Sequence, residues 1–256
     1  MSKIVSIHSF RGGTGKSNTT ANVSVTAARQ GYRVGIVDTD INSPGIHVLF
    51  GMEEDDMKIA LNDYLWGKCS IEDAAYDVTD RLGAGIKEGG GRVYLVPSSI
   101  KAGEITRVLR DGYDVGLLND GFRDLIDELE LDYLFIDTHP GLNEETLLSI
   151  AISDVLLIVL RLDKQDFQGT AVTVDVARKL DVPHMALVVN KALTSYDFDQ
   201  WRRRVTDTYH CSVVGILPLS EDVVRLASEG IFCLHYPDHP VSKAVAEVAQ
   251  WVLATT

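Results

Sequence analysis

The chain lacks paired cysteines, long apolar runs and any surplus of positive charge. Only three of its 256 residues are cysteine, Cys69, Cys211 and Cys233. Odd in number and far apart, they exclude a disulfide framework and a Cys-x-x-Cys metal site, suit a reducing compartment, and read as small core or surface residues. No apolar stretch reaches the ~18 residues that span a bilayer. Strand-like sequence begins directly after Met1 and Ser2, which leaves no space for a signal peptide, so the expectation is a soluble cytoplasmic protein. Lysine and arginine total 24 against 37 Asp and Glu, a formal net charge of −13. That balance works against nucleic acid and anionic membranes unless basic residues are gathered locally.

What is present is a regular alternation. Apolar, β-branched runs recur at Ile4 to Ile7, Val34 to Val37, Val93 to Val96, Tyr133 to Ile136, Val155 to Leu160, Ala186 to Val189 and Val213 to Leu217. Such continuous runs suit strands buried on both faces of a parallel sheet. Helix-length segments lie between them: Ser17 to Gln30, Val115 to Glu130, Glu144 to Ile152, Gln168 to Leu180, Phe198 to Thr208 and Glu221 to Ser228. The pattern predicts an α/β fold, a doubly wound and mostly parallel sheet flanked by helices, in one domain over residues 1–256. Its ligands belong at the carboxyl ends of the strands. The glycine-rich segment Thr79 to Gly91 reads as a surface loop. Val241 to Leu253 reads as a helix whose apolar stripe carries only Lys243 and Glu247 as charges. A membrane-surface helix pairs such a stripe with several Lys or Arg, so this one is expected to pack on the domain.

Chemistry concentrates in Ser9 to Ser17, Ser-Phe-Arg-Gly-Gly-Thr-Gly-Lys-Ser, between the first strand and the first helix. This is the context of a phosphate-binding loop. Successive glycines let backbone N–H groups face a β-phosphate, Lys16 neutralises β/γ oxygens, and the Ser17 hydroxyl suits Mg²⁺, all at the positive end of a helix. The common pattern wants glycine five positions before Gly15, where this chain has Phe10. The loop instead resembles the deviant Walker A motif of the MinD/ParA superfamily, Lys-Gly-Gly-x-Gly-Lys-Ser/Thr, with Arg11 in place of the extra lysine.

Three further motifs follow in that superfamily's order. Val34-Gly35-Ile36-Val37-Asp38-Thr39-Asp40 resembles the strand entering switch I, where Asp40 matches the carboxylate that orients the attacking water near Mg²⁺. The apolar run ending Ile136-Asp137-Thr138-His139-Pro140-Gly141 resembles Walker B and switch II, although His139 stands where a small residue is usual. Val188-Val189-Asn190-Lys191 is similar to the strand end whose asparagine reads adenine, and Pro218 sits where relatives line the adenine pocket. Asparagine and proline are also ordinary turn residues, and that reading stays open.

The resemblance implies a P-loop NTPase of the deviant Walker A (SIMIBI) type with ATP and Mg²⁺ as its ligands. Arg11, Gly12, Gly13, Thr14, Gly15, Lys16, Ser17 and Asn18 would surround the phosphates, with Ser17, Asp40 and Asp137 toward the metal, Gly141 sensing the γ-phosphate, and Asn190 and Pro218 at the base. Lys16, Asp40, Arg11 and Asp137 would carry catalysis, Arg11 reaching across an ATP-dependent homodimer. It further implies slow ATP hydrolysis stimulated by an activating protein partner, in a positioning or partitioning switch. No basic C-terminal membrane helix is evident. One basic run, Trp201-Arg202-Arg203-Arg204, is either a solvated helix face or a non-specific DNA contact. Two alternatives share the fold. One is an Mrp/Nbp-like metal-cluster carrier, whose Cys-x-x-Cys is missing here, and the other a small-molecule ATP-dependent synthetase.

Overall fold

The computed structural model describes residues 2–255. Eight strands form one sheet: β1 (Lys3–His8), β2 (Arg33–Asp38), β3 (Tyr76–Asp77), β4 (Arg92–Val96), β5 (Tyr133–Asp137), β6 (Val155–Leu160), β7 (His184–Ala192) and β8 (Val213–Pro218). Their order is β3-β4-β2-β5-β1-β6-β7-β8. All pairings are parallel except β3 with β4. The chain winds from β1 toward β2 on one side and from β6 toward β8 on the other, so the topological switch lies at β1 and β6. The seven expected strands are all present. The two-residue β3 is an addition, too short to leave a periodic signal.

Alternation along the strands feeds cores on the sheet's two faces. Val5, Ile7, Val34, Ile36, Phe135, Val155 and Leu157 belong to one core, with Val23 and Ala27 of helix Lys16–Ala28 and Val245, Val248 and Val252 of helix Pro240–Ala254. Through those valines the C-terminal apolar stripe packs on the sheet, as its lack of charge implied. Val37, Leu134 and Ile136 face Leu118, Phe122 and Leu125 of helix Gly116–Glu128. Leu156, Ile158 and Leu160 face Val174 and Ala177 of helix Lys164–Lys179 and Val205 of helix Phe198–Tyr209. No helix among the described residues is long and apolar enough to cross a membrane.

The segment Thr79 to Gly91 corrects its expectation as a surface loop. It folds into a 3₁₀ turn, Thr79–Leu82, and a short helix, Ala84–Glu88. The Thr79 hydroxyl accepts a hydrogen bond from Val93 N at 2.9 Å, and Ile86 is 1% exposed within the core. Glycine density hid an element held by two buried side chains. The expected result is that Ile86→Ala destabilises the protein by about 2–5 kcal/mol in urea denaturation, the cost of a core cavity. A free surface loop would lose at most about 0.5 kcal/mol.

Candidate nucleotide site

The glycine loop leaves β1 at the centre of the sheet and enters helix Lys16–Ala28 at Gly15. Gly13 and Gly15 have φ of 75° and 94°, a left-handed geometry that costs glycine nothing. A Cβ on Gly15 would also stand 2.2 Å from Asn190 Nδ2. No side chain caps this helix. Its first-turn N–H groups stay available to an anion, at the end where the helix dipole favours one.

Lys16 is 6% exposed, and its Nζ lies 2.8 Å from Asp137 Oδ1 at the end of β5. The Thr20 hydroxyl is 3.0 Å from the same oxygen. Asp137 Oδ2 is buried without a partner, as are Asp40 Oδ1 and Thr14 Oγ1. Beside Asp137 in register, at the end of β2, stands Asp38, fully buried. Its two carboxylate oxygens accept Asp40 N at 3.0 Å and Gly45 N at 3.2 Å, which pins the start of the loop after β2. Burial, reinforced by the Asp137 charge, pushes the Asp38 carboxyl up to about 7. Burial likewise raises the Asp40 carboxyl. Three acidic side chains thus converge on one lysine, and the unpartnered oxygens are hard donors of the kind Mg²⁺ takes. Of the expected metal-facing residues, Asp40 and Asp137 each offer such an oxygen.

Asp38 and Lys191 were read from the sequence only as members of the strand-end motifs, without a role of their own, and Thr20 was not singled out. Asp38 carried a signal, since it closes a wholly apolar run. Lys191 belonged to the Asn-Lys strand end, and Thr20 carried none. Lys191, at φ 56°, donates from Nζ to Gly13 O at 2.8 Å. Asn190 Nδ2 donates to Thr14 O at 2.8 Å, while its Oδ1 accepts from Lys191 N. The Asn-Lys pair therefore buttresses the glycine loop, rather than presenting an uncommitted amide to a base. Asn190 still lines a cavity of about 290 Å³ with Gly15, Asn18, Pro218, Val223 and Val245, beside the start of the helix.

The unusual half of the loop is held by helix Lys164–Lys179. Phe10 packs so tightly on Gly169 that a Cβ there would lie 2.1 Å from the ring. Arg11, 39% exposed at its side chain, reaches Asp166 at 3.4 Å and Asp163 at 3.7 Å within the same chain. Asp166 is buried and has closer partners in Arg161 N and Nε, both at 3.0 Å. Gly12 faces Pro140, and Gly141, at φ 89°, donates its N–H to Ser9 O at 3.2 Å, joining the loop to the turn after β5.

The basic run is engaged within the chain only in part. Arg202 donates to Val213 O, and the Arg204 guanidinium lies 4.7 Å over the Trp201 ring. Only Arg203 among the three is both exposed and without a described partner.

Comparison with known proteins agrees with this geometry. Residues 2–186 match the family model described as an AAA domain. The chain belongs to this family. Among relatives of this AAA-domain protein, an uncharacterized ATP-binding protein of Methanocaldococcus jannaschii is 26% identical over 250 residues, covering 97% of this chain and 87% of the relative. An iron-sulfur cluster carrier protein of Clostridium perfringens is 25% identical over 254 residues, covering 95% and 85%. The structure of the septum site-determining protein MinD of Pyrococcus horikoshii, complexed with Mg-ADP, superposes with a TM-score of 0.82 at 23% identity, covering 98% of this chain and 96% of that one. The fold is that of the MinD/ParA P-loop ATPases.

Beneath the loop, His8 is buried with its Nδ1 2.9 Å from Thr138 Oγ1. Burial first, then the nearby Lys16 and His139 charges, lowers its imidazole to about 3. Below pH 6.5 the unfolded chain takes up this proton and the folded chain does not, so His8 costs stability as pH falls. In urea denaturation between pH 7.5 and 4.5, His8→Asn is expected to lose less stability than the wild type, by about 1.4 kcal/mol for each pH unit below 6.5. Parallel profiles would show that His8 titrates alike in both states.

Proposed function

We propose that this protein is a Mg-ATP-dependent, dimerising ATPase that acts as a spatial positioning or partitioning switch. The observation that carries the reading is the uncapped glycine loop closed around the buried Lys16–Asp137 pair, with an apolar-walled cavity of about 290 Å³ beside it. Gly12 to Ser17 would hold the triphosphate, Asn18 the α-phosphate, and Pro218 and Asn190 would wall the cavity that takes the adenine. Lys16 turns from Asp137 to the β/γ oxygens. Ser17, Asp137 and Asp40 would hold Mg²⁺, which would supply neutralisation of phosphate charge. Asp40 orients water, and Gly141 reports the γ-phosphate to the turn after β5.

Dimerisation is supported by what surrounds the loop. Exposed apolar side chains Val48, Leu147, Leu193, Leu219 and Val224 stand in segments that follow the carboxyl ends of the strands. Arg11 is half exposed and tied by long contacts to an aspartate that Arg161 already satisfies. Its release costs little, and a guanidinium fork suits a partner's phosphates. An activating protein that speeds the slow intrinsic reaction completes the switch. Arg202 is engaged by the Val213 carbonyl, while Arg203 and Arg204 stay exposed as the candidate DNA contact.

The expected behaviour is that Asp40→Ala runs as a dimer in size exclusion with ATP and Mg²⁺ but as a monomer with ADP, and that Lys16→Ala stays monomeric in both. A monomeric Asp40→Ala protein with bound ATP would remove the switch reading. Arg11→Ala mixed with Lys16→Ala is expected to recover part of the hydrolysis that neither shows alone. If Arg11→Ala alone dimerises and hydrolyses normally, the trans role fails.

The likeness to the iron-sulfur cluster carrier protein favours a second reading, a metal-cluster carrier. It requires iron in protein purified without oxygen. Full ATPase activity in a metal-free preparation counts against it.

A further inference from the structure

The cavity of about 290 Å³ has walls of two kinds. Asn18, Asn22 and Val245 come from helices Lys16–Ala28 and Pro240–Ala254, which pack on the sheet. Leu219 to Ser228, which also line it, leave β8 and contain the short helix Glu221–Leu226, in which no residue is buried. This second wall is tied at its start. Leu219 N donates to Ala192 O at 2.7 Å, and Ser220 Oγ lies 3.3 Å from His239 Nε2. His239 Nδ1 accepts from Val241 N at 3.0 Å, so in the neutral ring Nε2 carries the hydrogen and donates to the serine. Beyond Ser220, the hydrogen bonds of residues 221–229 stay within 220–229 among the described residues, ending with Ala227 N to Val224 O at 3.1 Å and Glu229 N to Leu226 O at 2.8 Å. Val223 and Leu226 rest half-buried on the core. The far end is strained. Ala227 and Ser228 follow one another at φ 50° and 66°, a left-handed backbone that neither residue type favours. Strain of this kind clusters at ligand clamps and switch segments.

We propose that residues 219–230 are a strap that closes on the base of a bound nucleotide: it turns about Ser220 and about the Ala227–Ser228 pair, brings Val223 onto the base, and relaxes the left-handed pair as it closes. Val223 offers the apolar surface that the face of a base takes. Strain raises the free energy of the open strap, so its release on closure adds to the affinity for a ligand that fills the cavity. A few terminal residues that absorb the change in φ and ψ are what a hinge requires. The phosphates belong to Gly12 to Ser17, none of which lies in the strap, so a ligand without a base leaves it open. The role of the strap rests on the ATPase reading above and adds to it residues that answer to the base.

The test is amide hydrogen exchange of the full chain alone, with saturating Mg-ADP, and with saturating magnesium and inorganic triphosphate. ADP is used because ATP-driven dimerisation would itself cover Leu219 and Val224. Affinities for both ligands are measured in wild type, in Val223→Ala and in a double variant, Ala227→Gly with Ser228→Gly. ADP is expected to slow exchange across residues 219–230, while triphosphate slows it only in the glycine loop. Val223→Ala is expected to weaken ADP about tenfold, the scale of lost apolar contact in a pocket, with triphosphate within about twofold. The glycine pair, which has no strain to release, is expected to weaken ADP about tenfold and to leave triphosphate within about twofold. Far-UV circular dichroism and triphosphate affinity show that each variant is folded, and a misfolded Val223→Ala leaves the glycine pair and wild-type exchange to decide. Exchange at residues 219–230 that ADP leaves unchanged, or that triphosphate slows equally, overturns the strap and leaves the ATPase reading standing. Wild-type ADP affinity in the glycine pair overturns it too, since closure would then release no strain. A wild type that binds neither ADP nor ATP removes the underlying reading and the strap with it.

Discussion

The buried pair of Lys16 and Asp137 is the constraint around which the structure is arranged. A lysine in the first turn of one helix and an aspartate at the end of β5 meet at 2.8 Å, with the Thr20 hydroxyl completing the contact. Removing one partner of such a pair leaves a buried charge, at about 3–5 kcal/mol. The sheet must therefore bring β1 and β5 side by side, and the loop from β1 into helix Lys16–Ala28 must be short and glycine-rich. Asp38 adds a second buried carboxyl in register with the first. Burial of two carboxyls beside one lysine disfavours full ionisation of both, which is why the Asp38 carboxyl is raised.

A second arrangement holds the loop from outside. Phe10 rests on Gly169, Arg11 leans on Asp163 and Asp166, and Asn190 and Lys191 take the carbonyls of Thr14 and Gly13. Backbone carbonyls tied outward leave the N–H groups to face inward, which is the orientation an anion requires. The loop is thus preorganised by residues from β7 and from helix Lys164–Lys179, both distant in sequence. Preorganisation of this kind lowers the reorganisation needed when phosphate charge arrives.

Phe10 illustrates what could be read directly. It stands where the common motif has glycine, and the flanking strand and helix signals were enough to keep the loop assignment. Seven strands were legible because strands buried on both faces are apolar without interruption. The P-loop helix and its lysine were legible because spacing within one turn is local information. Thr79 to Gly91 was misjudged because glycine content is a local propensity, whereas Thr79 and Ile86 are fixed by contacts with distant segments. The arginine run kept both of its readings. Its charge was visible, but the Val213 carbonyl and the Trp201 ring that engage it were not.

By itself the sequence determined the elements, their order and the identity of the phosphate loop, since periodicity, glycine spacing and strand-end carboxylates are all short-range patterns. Tertiary structure alone decided which groups share a charge. It put Asp38 beside Asp137, turned Asn190 toward the loop, tied Arg11 within its own chain, and faced His139 toward Asp40. Those outcomes depend on register between strands and on burial, and neither is set by any segment alone.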